Sequence, residues 1–197
     1  MDSCKFPNVV HGATKHRFAD VSKINAVEVV NLMRSMGLLE EGRAYRLAFM
    51  GCGQAVCELQ ILAELRAQGV IITGELFVDT CMLDSIYDVA DSPHCVSPLF
   101  VTNVDALVQE LERDEASSFI LFGVHSGYSA YASSETYAMI RLARLCTRLA
   151  GQGRMQPTLV NFFGERMRGN VVGKDGVSCL TMPWDQFAQH YLRTACK

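Results

Sequence analysis

A chain of 197 residues, 49% hydrophobic and 20% charged, has the composition of a globular protein with a sizeable core, which excludes a disordered or low-complexity one. Its net charge of −3 and pI of about 5.9 leave no basic footprint and argue against general nucleic-acid binding. Its longest uncharged apolar runs are far shorter than the roughly 20 residues that span a bilayer, so no membrane partner is expected.

Met1 to Asp20 mixes polar and apolar residues without a period and reads as an irregular arm or short strand. Ser22 is placed to cap a helix reaching about Met36, with Ile24, Val27, Val30 and Met33 on one face. Gly37 stops that helix and Gly42 ends the connection. Tyr45–Met50 reads as a buried strand. Gln54–Gln68 follows as a helix with Ala55, Leu59, Leu62 and Leu65 inward, closed by Gly69. Val70–Val78 is a second strand, leading to a short helix near Met82–Val89. Pro98–Thr102 is a third strand before a helix at Val104–Arg113. "SFILFGV", Ser118–Val124, is the clearest buried strand. A long helix at Ser134–Leu149 follows, with Ile140, Leu142, Leu145 and Leu149 available to a core, and Gly151 and Gly153 end it. Thr158–Phe163 is a fifth strand. Residues 176–182 make a sixth, which Gly173 and Gly176 allow to be antiparallel, and Pro183 suits the first turn of a last helix.

Strands alternating with helices make βαβ units. The expected fold is therefore a doubly wound, mostly parallel α/β sheet with helices on both faces. Residues 1–43 read as an N-terminal helical extension and 44–197 as the α/β domain of nucleotide-cofactor type, a single domain overall. The eight cysteines show no C-x-x-C or C-x-x-H pair, so no metal site is expected. No signal-peptide pattern is seen either. Reduced cysteines and a cytoplasmic protein are the expectation.

In an open α/β sheet, ligands collect beyond the carboxyl ends of the strands, where the strand order reverses. Those ends carry Gly51-Cys52-Gly53, Asp79, Asn103 with Asp105, His125-Ser126-Gly127-Tyr128, and Gly164-Glu165-Arg166. Glycines allow close backbone approach, and the helix beginning at Gln54 offers unsatisfied N–H groups. Asp79 is suited to a ribose diol and Asp105 to an adenine amino group. Plainer roles stand beside these: a strand–helix turn for the glycines, helix caps for Asp79 and Asp105, and a hydrogen-bonded structural role for His125.

"RLAFMGCGQA" resembles the first motif of class I S-adenosylmethionine-dependent methyltransferases, an apolar strand running into G-C-G-x-G. "LFVDTCMLD" resembles that family's second motif. "ILFGVHSGYSAY" with "IRLARLCTRLAGQGRMQPTLVNFFGE" resembles its fourth strand, long helix, glycine turn and fifth strand. The resemblance covers about Tyr45 to Glu165 in the family's order. It implies a Rossmann-like methyltransferase fold that binds S-adenosylmethionine as a small-molecule cofactor. Gly51, Cys52 and Gly53 would line that cofactor, Asp79 would hold the ribose and Asp105 the adenine. His125 and Tyr128 are the candidates for orienting or deprotonating a substrate, because methyl transfer rests mainly on in-line positioning. The methyl acceptor is not specified by these residues.

The sequence departs from the pattern at two positions. Phe49 stands where the family has an acidic residue two before the first glycine, and Ala55 replaces the third glycine. The alternative is a degenerate domain of this type that serves as a non-catalytic binding or scaffold protein; a homo-oligomer or a protein partner fits either. A nicotinamide oxidoreductase would need a glycine near Glu58, where Val56 and Cys57 also stand. Cys52 at a helix N-terminus also has the placement of a nucleophile, although cysteine is common between two such glycines.

Overall fold

The computed structural model describes residues 26–52, 55–79, 89–124, 136–155, 158–163 and 178–183. Within them lie helices α1 (Ala26–Ser35), α2 (Val56–Ala67), α3 (Val104–Arg113) and α4 (Thr136–Gly151). The strands are β1 (Ala44–Met50), β2 (Ile71–Val78), β3 (Pro98–Val101), β4 (Ser118–Val124), β5 (Thr158–Phe163) and β6 (Ser178–Pro183). They form one sheet in the order β3-β2-β1-β4-β5-β6. The pairs from β3 to β5 are parallel, and β6 runs antiparallel to β5. The protein thus has an α/β fold with a largely parallel sheet, and β1 is central in it.

Alternation along the strands explains why their sequences are apolar without a polar face. Leu47, Phe49, Phe77, Ile120 and Phe122 pack with Val29, Val30 and Met33 of α1 and Ile61, Leu62 and Leu65 of α2. Ala48, Met50, Leu76, Val78, Phe119 and Leu121 pack on the other face with Val104, Leu107 and Leu111 of α3 and Met139, Leu142 and Leu145 of α4. With both faces covered, successive side chains are buried in turn on opposite sides, so hydrophobic runs replace alternation.

Across the strands, register does something more specific. Phe122, Phe49, Phe77 and Phe100 are in-register partners on β4, β1, β2 and β3. Their rings stack in a row, with centroid spacings of 4.8, 5.5 and 5.5 Å. Offset stacking adds to the burial free energy of each ring and pins this register.

Several expectations need correcting. In α1 the buried face is Val29, Val30 and Met33, while Val27 is exposed. A shift of one or two positions along the helix rotates the apolar stripe, and the sheet selected the stripe with three large neighbours in i, i+1, i+4 spacing. In α2 the inward residues are Cys57, Glu58, Ile61, Leu62 and Leu65, and Leu59 is only partly buried. Pro183 is the last residue of β6, paired with Thr158; proline is tolerated on an edge strand such as this one. Ser22, Ile24 and the helices expected at 82–89 and after 183 lie wholly or mostly outside the described residues.

The sheet is tied by polar contacts at the amino ends of β1 and β4. Arg46 Nη1 meets Asp114 Oδ2 at 2.9 Å, and Arg43 Nε donates to Ser118 Oγ at 3.0 Å. Asp114 also accepts from the Ser117 hydroxyl at 2.7 Å and amide at 3.0 Å, and from the Ala116 amide at 3.2 Å. No helix among the described residues is long and apolar enough to cross a membrane.

Candidate functional site

Strand order reverses between β1 and β4, and the carboxyl end of β1 stands beside that switch. There the chain leaves β1 through Gly51, whose φ of 74° is a left-handed conformation that glycine adopts without strain. The Gly51 amide donates to the Val78 carbonyl at 2.8 Å, and the Cys52 amide reaches the same oxygen at 3.4 Å. The next residue after Val78 is Asp79, so the glycine corner and the acid that ends β2 are held together by one carbonyl.

The turn then closes with the Ala55 amide donating to the Cys52 carbonyl at 2.7 Å. Ala55 is the N-cap of α2, with φ 56° and ψ 18°, and gives the helix no side-chain cap. The residue standing where the resembled motif has a third glycine therefore adopts a glycine-like backbone, despite the Cβ that makes this costly. Ala55 has no side chain that could cap the first-turn N–H groups of α2.

Three ionisable groups meet at this corner. Cys52 is buried and its Sγ–H points at the Val78 carbonyl, 3.7 Å away. Burial pushes its thiol well above the ordinary range, and the charges of Glu58 and Asp79 push it further. A thiol held so is no activated nucleophile, so a Cys52 hydrolase finds no support in the site's electrostatics. Glu58, in the first turn of α2, is 1% exposed, and its Oε1 has no hydrogen-bond partner. Burial pushes its carboxyl up to about 8; its own backbone amide works against this and the Asp79 charge adds to it. Asp79 itself is half-buried, with its amide bonded to the Val101 carbonyl at 3.1 Å.

Sequence reasoning passed over Glu58 except as a residue that is not glycine. Its signal was available: with Ile61, Leu62 and Leu65 it shares one stripe of α2, and a lone acid on an inward apolar stripe is a marked residue.

Asp105 lies one strand away, in the first turn of α3, and pairs with Arg141 of α4 at 2.7 Å, both side chains about half exposed. It does not cap α3. That role falls to Asn103, whose side chain accepts from the Ala106 amide at 2.7 Å. Gly51, Cys52 and Asp79 are thus brought together, and Asp105 sits apart from them in its own ion pair. Phe49 is fully buried in the aromatic row. Gly53, His125 and Tyr128 lie outside the described residues, as does the segment from Gly164 to Arg166. Cys52, Cys57, Cys95 and Cys146 are free thiols. Among the described residues no cluster of three His, Cys, Asp or Glu could hold a metal ion.

What the fold and corner define is an α/β protein with a glycine turn after the central strand and two acids, one in the first turn of α2 and one after β2, beside it. No family model matches the chain, and no curated protein matches it.

Proposed function

We propose that the corner between β1, α2 and β2 binds an adenosyl cofactor in a Rossmann-like, methyltransferase-type fold, and that the chemistry it serves is methyl transfer from S-adenosylmethionine. The observation that carries the reading is the join of Gly51 to Val78, which sets the left-handed glycine at the approach to α2 beside Asp79. Backbone can approach a ligand closely at Gly51, while a carboxylate one residue beyond the shared carbonyl suits a vicinal diol. The strand order, with its last strand antiparallel, is compatible with this fold type.

A second reading has its own support. Phe49 is sealed in the aromatic row and Asp105 is engaged with Arg141, so two positions that the resemblance would use for the cofactor serve the fold instead. Those features favour a degenerate domain that binds a protein partner or acts as a scaffold.

Titration with S-adenosylhomocysteine, followed by thermal shift and calorimetry, separates the two. A ligand that binds only the folded state raises the melting temperature once its concentration exceeds the dissociation constant. Binding is expected, and Asp79→Ala should weaken it by about 1–3 kcal/mol, the loss for hydrogen bonds to a charged group. A folded protein whose melting temperature is unmoved at millimolar ligand leaves the scaffold reading in place.

A further inference from the structure

Among the described residues two glutamates are buried, Glu75 at 0% and Glu58 at 1% exposure, and they are treated in opposite ways. Glu75 is fully provided for: it accepts from the Val96 and Ser97 amides at 3.1 Å, and Arg66 Nη2 lies 3.6 Å from its Oε1. Glu58 joins none of the ion pairs among the described residues, and its Oε1 accepts no hydrogen bond. Among the described residues the groups coupled to its charge are the Cys52 thiol from the end of β1, the Cys57 thiol on its own helix and the Asp79 carboxylate after β2. None of these is a cation. A buried acid beside a second acid, with an orphaned oxygen, is costly and adds nothing to the fold that glutamine or leucine would not. An incoming positive charge relieves both defects at once.

We infer that Glu58 is the group that recognises the positive charge of the bound ligand, its free Oε1 facing the ligand's ammonium or sulfonium centre while Asp79 holds the ribose hydroxyls. The inference rests on the adenosyl reading above and adds to it the residue that tells a charged adenosyl ligand from a neutral one. In the free protein, burial keeps the Glu58 carboxyl protonated up to about 8. Binding a cation must therefore expel that proton to solvent at neutral pH, leaving the carboxylate against the ligand's charge. The two nearby thiols are raised by burial and take no part in that exchange near pH 7.

Three adenosyl ligands dissect the charge. S-adenosylmethionine has an ammonium, a carboxylate and a sulfonium, S-adenosylhomocysteine has the ammonium and carboxylate, and 5′-methylthioadenosine has none of them. The positive charge is therefore read from the change that Glu58→Gln makes rather than from the wild-type ratios alone. Calorimetry on the wild type should show the charged ligands preferred over methylthioadenosine by about tenfold or more, the usual weight of a charge-assisted hydrogen bond. Glu58→Gln should abolish most of that preference and leave methylthioadenosine binding unchanged; the step at which preference is lost identifies the ammonium or the sulfonium. A second measurement needs no variant: at pH 7, in two buffers of different ionisation enthalpy, the charged ligands should release a proton on binding and methylthioadenosine none. Unchanged ligand ratios in Glu58→Gln, or no proton release by a charged ligand that binds, overturn the inference and spare the adenosyl reading. If the folded wild type binds none of the three, the adenosyl reading fails and the inference with it.

Discussion

The rings of Phe49 and Phe122 stack at 4.8 Å with only 19° between their planes, in register on the two central strands of the sheet. This contact joins the two strands between which the strand order reverses, directly below the glycine corner. It also explains a departure from the resembled motif. An acid at position 49 would stand in the middle of a row of four phenylalanines, where nothing could solvate it.

Phe49→Ala should therefore cost about 3–5 kcal/mol, the range for removing a buried aromatic and leaving a cavity. Phe49→Asp, which would restore the acid of the motif, should cost more and not yield a cooperatively folded protein. Urea denaturation checks both. A folded Phe49→Asp protein with a near-wild-type midpoint would show that the aromatic row does not hold this end of the sheet.

The corner makes a paired prediction at Gly51 and Ala55, both left-handed, with φ of 74° and 56°. Gly51→Ala places a Cβ in that conformation at a cost of about 1–2 kcal/mol. Ala55→Gly removes the same strain and loses one buried methyl, worth about 0.8 kcal/mol, so stability should stay within about 1 kcal/mol of wild type. Denaturant midpoints at constant slope measure the two. An Ala55→Gly protein less stable than Gly51→Ala would mean that the cap is not strained as described.

Much of this architecture was legible in the chain, for reasons visible at single residues. β4 and α3 begin and end where the sequence places them, because an uninterrupted apolar run and an amphipathic ten-residue helix are each bounded by polar or breaking residues. Gly69 closes α2 with φ 78°, as a glycine after a helix should. What stayed hidden depends on register and helix phase. No local pattern says that Phe49 will meet Phe77 and Phe122, since pairing is decided by strands far apart in sequence. Asn103 and Asp105 are equally competent caps, and only the point at which β3 stops decides between them. Glu58 was obscured because its stripe on α2 is offset from the one expected through Leu59.

At the far end of the sheet, Asp114 predicts acid sensitivity. Partial burial raises its carboxyl, but the Ser117 hydroxyl and amide, Arg46 and the Ala116 amide together outweigh this and hold it below the ordinary carboxylate value. A lowered folded-state value means stability that is present above the ordinary range and lost as pH falls through the folded value. Asp114→Ala should cost about 1–3 kcal/mol at neutral pH, because Arg46 and the Ser117 groups lose their acceptor. The deficit should shrink toward acid pH, and melting curves taken from pH 7 down to pH 3 would record it. A deficit that stays constant over that range would rule out the charged form as the source.

Glu58 predicts the opposite slope. Its carboxyl is raised from an ordinary 4.5 to about 8 in the folded protein. Between those two values the folded state holds a proton that the unfolded chain has given up, so stability falls as pH rises. The Glu58 contribution is fully present below the ordinary value and is lost as pH climbs toward about 8, at up to about 1.4 kcal/mol per pH unit. Glu58→Gln keeps the shape and removes the titration. Measured against wild type, it should be close to neutral near pH 5 and progressively more stable than wild type as pH approaches 8. Asp79→Asn tests the cause: without the Asp79 charge the folded-state value of Glu58 drops, so the decline should begin at the same pH but end at a lower one and total less, because one of the two effects that oppose Glu58 ionisation is gone. Denaturant titrations of the three proteins at pH 5, 6, 7 and 8 are sufficient. If Glu58→Gln and wild type run parallel across that range, Glu58 is not held protonated in the fold, and the release of a proton on binding a cationic ligand loses its source.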